Sequence, residues 1–410
     1  MLVILTAYPV LLLVMRGSMS VLFFLMVTLS AAVLIRRRQS LDKRNWDSDT
    51  IAFALAMAST VAIILPAQIY HHDIQWRPYD EAVRLLLAVP VCLAIRAGTV
   101  SVSQVLGLSM PAGAILAMVL VGGESNGPAH GRLGSYFLNV IHFGNLALTL
   151  GFLSLYSIRT GVERSPVLIT LKLCGLFIGV YLSIRSGTRG GWLVVPVLLV
   201  IWIALGLRPK SRTGAMATLG LIGVMGVAGF FFFDLLQQRV LEVQSDLAAY
   251  ARGDKDTSVG LRLQILQGVA HVLRENPLFG AGLQGYKATL SALAQSGIIT
   301  GEAVNLGTAE VHNQILSYAV KYGLPGLVSG LAIHLVPLII FVRTLKTAAG
   351  DARIAALMGT CLVTAFFIFG LTVEIFNLKH TVTFYSLTLG VLLGAATRRN
   401  VQDISTSAKC

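Results

Sequence analysis

Charged residues are scarce in this sequence. Asp, Glu, Lys and Arg make up 12% of the 410 residues, whereas 55% are hydrophobic, and the mean hydropathy is +0.76. A soluble domain usually has about a quarter of its residues charged, so this composition excludes a soluble protein. Apolar runs of ~18 residues or more recur along the chain, and each is long enough to cross the bilayer interior. The sequence therefore predicts an all-α polytopic membrane protein.

Paired cysteines are also lacking. The four cysteines are isolated from one another, and three lie inside apolar runs: Cys92, Cys174, Cys361 and Cys410. Their spacing matches neither a zinc motif of Cys and His nor a disulfide framework. The nearest approach to a metal motif is Asp254-Lys255-Asp256, but the central lysine and the neighbouring Gly, Ser and Thr favour a solvated loop. We therefore expect neither a metal nor another cofactor.

Excess positive charge is present without a soluble basic domain. The net charge is +13. In a membrane protein an excess of Lys and Arg mainly reflects their enrichment in cytoplasmic loops. We therefore expect no nucleic-acid partner. The length criterion predicts about twelve transmembrane helices. They lie near residues 1–15, 18–35, 50–69, 82–96, 104–121, 137–158, 166–184, 191–207, 214–235, 324–343, 354–376 and 380–397.

Loop charges predict the orientation of these spans. The loops after the second, sixth, eighth, tenth and twelfth spans are rich in Lys and Arg, which predicts that both termini are cytoplasmic. The chain then divides into transmembrane helices 1–9 (1–235), one large periplasmic loop with amphipathic helices (236–323), and transmembrane helices 10–12 with a short cytoplasmic tail (324–410).

Two arginines lie on the predicted outer side, in the segment RSGTRGG at 185–191. Orientation does not require arginine there, so Arg185 and Arg189 are candidate ligand-binding residues. The flanking glycines would let a ligand approach the backbone closely. The alternative is that both side chains extend to lipid headgroups.

The large loop contains a third candidate arginine. Residues 258–275 have helical apolar spacing that ends before Asn276-Pro277, and this spacing places Arg262 inside the apolar stripe and Gln264 on the exposed face. The stripe consists of Leu261, Ile265, Leu266, Val269, Val272 and Leu273. A buried arginine must meet an anionic ligand or a carboxylate of the protein, and both alternatives remain open.

A histidine follows in TAEVHNQILSYAVKYGLPGL. Thr308 is predicted to cap a helix with Glu310 in its first turn, and Gly323-Leu324-Pro325 is predicted to end it. His312 would then lie in the first turn, where the helix dipole favours a neutral imidazole that can accept a proton. The alternative is a purely structural histidine.

Together these residues suit a lipid-linked phosphate or diphosphate. Guanidinium groups bind phosphate oxygens in bidentate fashion, and a neutral histidine can deprotonate an attacking hydroxyl. A transporter is the alternative class, and transporter sites usually carry charged residues within the membrane spans. The predicted spans are nearly free of charged residues, which argues against ion-coupled transport. The exceptions, each of which is isolated in the sequence, are His142, His334 and Glu374.

Asp80 and Arg84 stand four positions apart at the outer end of the fourth span. They are predicted to pair, either to anchor the helix or with Arg84 as a possible additional site residue.

Three segments carry a resemblance to a known family. SIRSGTRGGWLVV, GLRLQILQGVAHVLRENPLFGAGLQGY and VHNQILSYAVKYGLPGLVSG are similar, in this order, to the signature of the O-antigen ligase and polymerase superfamily. The resemblance covers roughly 180–345 and implies a membrane glycosyltransferase of the GT-C type in the bacterial inner membrane, with a periplasmic active site and no metal.

The resemblance also implies substrates and roles. An O-antigen ligase transfers polysaccharide from undecaprenyl diphosphate, its donor, to a sugar of lipid A-core, its acceptor. By position, His312 would be the general base, and Arg185, Arg189 and Arg262 would bind the diphosphate. O-antigen polymerases and protein O-oligosaccharyltransferases resemble one another closely and remain alternatives, although one dominant outer loop and the compact chain favour a ligase.

Overall fold

The computed structural model describes residues 1–36, 46–122, 131–158, 165–206, 237–238 and 240–398. Within these ranges the chain is helical and contains no β-strand. The helices of the first half are α1 (Leu2–Leu11), α2 (Ser18–Arg36), α3 (Ser48–Ala62), α4 (Ile64–Tyr70), α5 (Arg77–Leu86), α6 (Ala88–Arg96), α7 (Val102–Leu120), α8 (Val140–Tyr156), α9 (Pro166–Ser186) and α10 (Val194–Ile201). A 3₁₀ helix, Arg189–Leu193, precedes α10, and a π-helical turn, Trp202–Gly206, follows it.

The second half begins with a helical stretch at 240–251, α11. The remaining helices are α12 (Ser258–Glu275), α13 (Gly282–Gln295), α14 (Gly301–Ala309), α15 (Gln314–Thr347), α16 (Gly350–Gly370) and α17 (Lys379–Ala396). Each predicted span overlaps a described helix except 214–235, which lies outside the described residues, as does the end of the chain after 398.

The chain is a multi-pass membrane protein. Seven helical segments of the described chain are long and apolar enough to cross a bilayer, and two shorter apolar helices, α1 and α8, accompany them. Two spans predicted as continuous are broken, at Ile63 between α3 and α4 and at Leu87 between α5 and α6. Pro66 and Pro90 lie just after these breaks, and a proline removes a helical hydrogen bond and clashes with the preceding turn.

Small residues let the membrane helices approach closely. Helices α8 and α9 meet where a Cβ on Gly179 would lie 2.8 Å from the Cα of Gly151, a contact that only glycine permits. Such interfaces are typical of membrane helices, whose association depends on close packing. This packing fixes the end of α9, where the arginine-bearing segment begins.

A second apolar core lies in the segment that follows α11. It includes residues of α12, α13 and α14: Ile265, Val269, Val272, Tyr286, Leu290, Leu293 and Ala303. The segment is joined to α15 at a kink, where Gly323 has a φ of +68° and the Leu324 N–H donates to Pro277 O at 2.7 Å. The predicted break at Gly323 is therefore confirmed.

Candidate active site

His312 lies in a short loop between two helices. Residues 310–313, which we call the His312 loop, separate α14 from α15. The Asn313 side chain accepts hydrogen bonds at 3.0 Å from the N–H groups of Ile315 and Leu316 and so caps α15. His312 has a φ of +57°, a left-handed conformation that is uncommon for residues other than glycine.

This geometry corrects the sequence prediction for the loop. Thr308 lies in the last turn of α14, and Glu310 follows that helix instead of opening the next one. Because Asn313 is the N-cap, His312 precedes the helix and is not in its first turn. Asn is a favoured N-cap residue, so the sequence contained two candidate N-caps for this helix, Thr308 and Asn313, and the structure uses Asn313.

A buried carboxylate holds the His312 loop. Glu374 is 5% exposed, and its Oε1 accepts a hydrogen bond from the Val311 N–H at 2.7 Å. Its Oε2 accepts from Ser317 Oγ at 2.8 Å and from Lys321 Nζ at 3.1 Å. The prediction that Glu374 is isolated is therefore wrong, because its partners lie 53 to 63 residues earlier in the chain.

The loop between α16 and α17, residues 371–378, makes further contacts with the same segment. The backbone N–H of Glu374 donates to the Glu310 carboxylate, and Asn313 Nδ2 donates to Leu371 O at 3.4 Å. The backbone on either side of His312 is therefore fixed to one neighbouring loop.

The surroundings of His312 favour its neutral form. Its side chain is 24% exposed. Burial lowers the pKa of His312 most, and the positive charge of Arg262 lowers the pKa further, whereas Glu374 opposes both effects. The imidazole is therefore unprotonated near neutral pH and can accept a proton. The two ring nitrogens differ: Nδ1 lies 3.8 Å from Glu310 Oε2, and Nε2 is buried with no hydrogen-bond partner among the described residues.

Arg262 lies on the exposed side of α12, so its predicted place in the buried stripe is wrong. The face that is buried consists of Gly260, Gln264, Ile265, Gly268, Val269 and Val272. Gln264 was predicted to be exposed, but its amide bonds to Lys255 O and to the Thr300 N–H, which allows full burial. Because Arg262 is exposed, it needs no buried counter-ion. It is also close enough to His312 for its positive charge to lower the pKa of the histidine.

Residues 185–191, which we call the arginine turn, include the last two residues of α9 and connect that helix to the 3₁₀ helix before α10. Gly187 ends the helix with a φ of +65°. The Arg132 guanidinium supports the turn by donating to Ser186 O at 2.8 Å and to Gly187 O at 3.0 Å. Sequence reasoning did not identify Arg132, which is distant in the chain and lies outside any motif.

Both arginines of this turn are exposed. The Arg185 side chain is supported by a neighbouring turn of α9, since its Nη1 donates to the Tyr181 hydroxyl at 3.0 Å and its guanidinium lies over the Tyr181 ring. A Cβ on Gly190 would lie 2.9 Å from Thr372 Oγ1, so the arginine turn touches the α16–α17 loop. The structure therefore brings the arginine turn and the His312 loop against one common loop, with Arg262 near His312.

Arg84 has a different environment from the other candidates. It is 5% exposed and forms the predicted ion pair with Asp80 at 3.1 Å. Its Nη1 also donates to Thr383 Oγ1 at 2.8 Å and to Ser20 Oγ at 3.3 Å. These contacts join α5 to α17 and α2, so the guanidinium is used to anchor helices.

A cavity of about 500 Å³ borders the His312 loop at Glu310 and Val311. Its lining includes ionisable residues that sequence reasoning did not connect: Glu81, Glu310, Tyr318, Lys321 and Glu374. Tyr318 donates to Glu81 Oε1 at 2.5 Å, and Glu310 belongs both to this cavity and to the surroundings of His312. None of Arg185, Arg189, Arg262 and His312 lines the cavity.

The Asp254-Lys255-Asp256 segment is tied to its neighbours. Asp256 Oδ1 accepts a hydrogen bond from Thr300 Oγ1 at 2.5 Å, and Lys255 O accepts one from Gln264. Across the described ranges, no group of three or more His, Cys, Asp and Glu residues is placed to hold a metal ion.

The chain is similar to known proteins in the region that carries these residues. A family model described as O-antigen ligase matches residues 174–331. An uncharacterised protein of Haemophilus influenzae is 25% identical over 226 residues, covering 53% of this chain and 55% of the relative. An O-antigen ligase of Escherichia coli K12 is 20% identical over 187 residues, covering 46% of this chain and 44% of the relative.

The chain thus spans about half the length of the curated relatives that it matches. The matched segment 174–331 contains all three motifs quoted above, together with Arg185, Arg189, Arg262 and His312. The family match over this segment and the similarity to the Escherichia coli O-antigen ligase confirm the resemblance to the O-antigen ligase and polymerase superfamily seen in the sequence.

Proposed function

We propose that this protein is an O-antigen ligase. It transfers polysaccharide from undecaprenyl diphosphate to a sugar hydroxyl of lipid A-core, without a metal and with inversion at the anomeric carbon. His312 is the general base, and Arg185, Arg189 and Arg262 bind the diphosphate. Arg84 anchors helices in this proposal and does not contact the donor.

The charge relation between His312 and Arg262 carries the proposal. Burial and, to a smaller extent, the Arg262 guanidinium lower the pKa of His312, and the same guanidinium offers a binding group for an anion beside that base. A diphosphate leaving group and an attacking hydroxyl need this combination, because negative charge develops where the donor bond breaks while a proton must leave the acceptor. Both residues lie within the segment that matches the O-antigen ligase family.

The proposal includes an orientation. Both termini are cytoplasmic, residues 236–323 are periplasmic, and residues 324–410 contain the last spans and a cytoplasmic tail, since the Lys- and Arg-rich loops then lie on the cytoplasmic side. The site faces the periplasm of the inner membrane, where membrane lipids surround the helices.

The test uses purified protein in lipid with undecaprenyl-diphosphate-linked glycan, lipid A-core and EDTA. We expect a gel shift of the lipid A-core with the wild type, and a loss of rate of about 10²- to 10⁴-fold in His312→Ala, the usual contribution of a general base. His271→Ala is the matched control, because His271 is 41% exposed and pairs with Glu275 on α12.

Other outcomes would separate the alternatives. Longer glycan on the carrier with an unmodified core would indicate a polymerase. Absence of transfer by the wild type would favour a carrier transporter with the arginines as a docking site. Loss of transfer in EDTA, restored by a divalent cation, would contradict the metal-free mechanism.

A further inference from the structure

The two nitrogens of the His312 ring have different surroundings. Nδ1 lies 3.8 Å from Glu310 Oε2, within ion-pair range but longer than a hydrogen bond. Nε2 is buried and has no partner in the part of the chain that the structure describes. A histidine that acts as a base through one nitrogen needs the other to be held, because this fixes both the tautomer and the ring orientation.

Glu310 is itself held in place. One of its oxygens, Oε1, accepts a hydrogen bond from the Glu374 N–H, which leaves Oε2 directed toward His312. The backbone of Glu310 is extended, whereas that of His312 is left-handed, so the side chains of these near neighbours come together. The uncommon left-handed conformation of His312 thus brings its ring toward the Glu310 carboxylate.

We propose that Glu310 is the positioning residue for His312, accepting the Nδ1–H so that Nε2 is directed at the acceptor hydroxyl. This inference rests on the proposed function. During transfer the hydroxyl oxygen bonds to the anomeric carbon, the bond from that carbon to the diphosphate oxygen breaks, and its electron pair leaves with the diphosphate. The hydroxyl proton moves to Nε2, and the Glu310 carboxylate stabilises the resulting imidazolium. The Nδ1–Oε2 distance shortens in the reacting complex, as catalytic hydrogen bonds commonly do.

The electrostatics of the loop support this role. Burial raises the pKa of Glu310 and lowers the pKa of His312, so each group needs the other as a counter-charge once His312 is protonated. The other charged groups that act on the pair are Arg262 from α12, Lys321 from α15 and Glu374 from the α16–α17 loop. Arg262 disfavours the imidazolium, which makes the carboxylate of Glu310 more important for the transition state.

The decisive variant is Glu310→Gln. Its amide oxygen can still accept the Glu374 N–H, so a purely structural role would leave activity close to wild type. The proposal instead predicts a fall in kcat of roughly 10- to 100-fold with little change in KM, because a positioned base loses its orienting charge. Glu310→Asp should recover part of the rate. Glu302→Gln, which changes an exposed carboxylate on the preceding helix α14, is the matched control.

The pH profile gives a second readout. Removal of a negative charge beside His312 lowers the histidine pKa, and a general base is active only when unprotonated. The acidic limb of kcat/KM should therefore move to lower pH in Glu310→Gln and stay in place in Glu302→Gln.

A third measurement does not depend on transfer. Proton titration of His312, followed by NMR of ring-labelled histidine and assigned with His312→Ala, should give a lower pKa in Glu310→Gln than in wild type. An unchanged pKa together with wild-type kcat in Glu310→Gln would overturn the role of Glu310 and leave the ligase proposal standing. If wild type transfers glycan and His312→Ala does so equally well, the proposed function fails and the positioning role fails with it.

Discussion

The two loops that carry the candidate residues are held in different ways. The His312 loop is fixed by side chains, above all by the buried carboxylate of Glu374, which binds the Val311 N–H and Lys321. The arginine turn is held through its backbone: Arg132 donates to two of its carbonyl groups, and the Leu133 N–H donates to Arg185 O at 2.9 Å.

This difference suits the two roles that we propose, proton abstraction by His312 and diphosphate binding by the arginines. A base must be directed at one proton, and errors of about 1 Å can cost a large part of the rate, so a rigid loop suits His312. An arginine that binds a flexible diphosphate needs reach more than fixed geometry, so a firm backbone with exposed side chains suits Arg185 and Arg189. The α16–α17 loop contacts both segments, through Thr372 and through Leu371.

The largest expected effect comes from breaking the support of the His312 loop. In Glu374→Gln, Lys321 loses its counter-charge and one of the two acceptor oxygens becomes an NH2 donor that faces other buried donors, which is strongly destabilising. We expect the thermal unfolding midpoint in detergent to fall by roughly 5 °C, with at least a tenfold loss of transfer because His312 is no longer positioned.

The control for this variant is Glu275→Gln, a 57% exposed carboxylate on α12. It should leave both the midpoint and the transfer rate unchanged. A Glu374→Gln protein with wild-type midpoint and rate would show that the carboxylate does not support the loop.

Substitutions in the arginine turn should lower activity without lowering stability. Arg185→Lys keeps the charge but loses the planar fork that binds phosphate oxygens in pairs, so we expect a loss of roughly tenfold in kcat/KM without a change in stability. Arg274→Lys, another exposed arginine, should show neither effect. Near-normal turnover of Arg185→Lys would argue against direct contact between Arg185 and phosphate.

Short-range signals in the sequence predicted two helix boundaries near the His312 loop, but neither the cap of α15 nor the contacts that hold the loop. The end of α12 before Asn276 and the kink at Gly323 follow from short-range signals, and both were predicted correctly. The partners of Glu374 are more than fifty residues away in sequence and belong to the His312 loop and to α15, so only the tertiary structure reveals them.

Periodicity failed for a specific reason on α12. It assigned Leu266 to the buried stripe and Gln264 to the exposed face, yet Leu266 is 45% exposed and Gln264 is buried. A glutamine can replace an apolar residue in a core when its amide is fully bonded, and here the acceptor and donor come from Lys255 and Thr300. The buried stripe is therefore rotated, and Arg262 moves from the core to the surface.

The smallest expected effect concerns the link between Arg262 and the base. Arg262 lowers the pKa of His312 through its positive charge, so Arg262→Gln should raise that pKa. Because His312 must be unprotonated to act, the acidic limb of kcat/KM should move to higher pH, opposite to the shift in Glu310→Gln. Arg274→Gln on the same helix should leave the limb in place, and an unmoved limb in Arg262→Gln would mean that Arg262 contributes to donor binding alone.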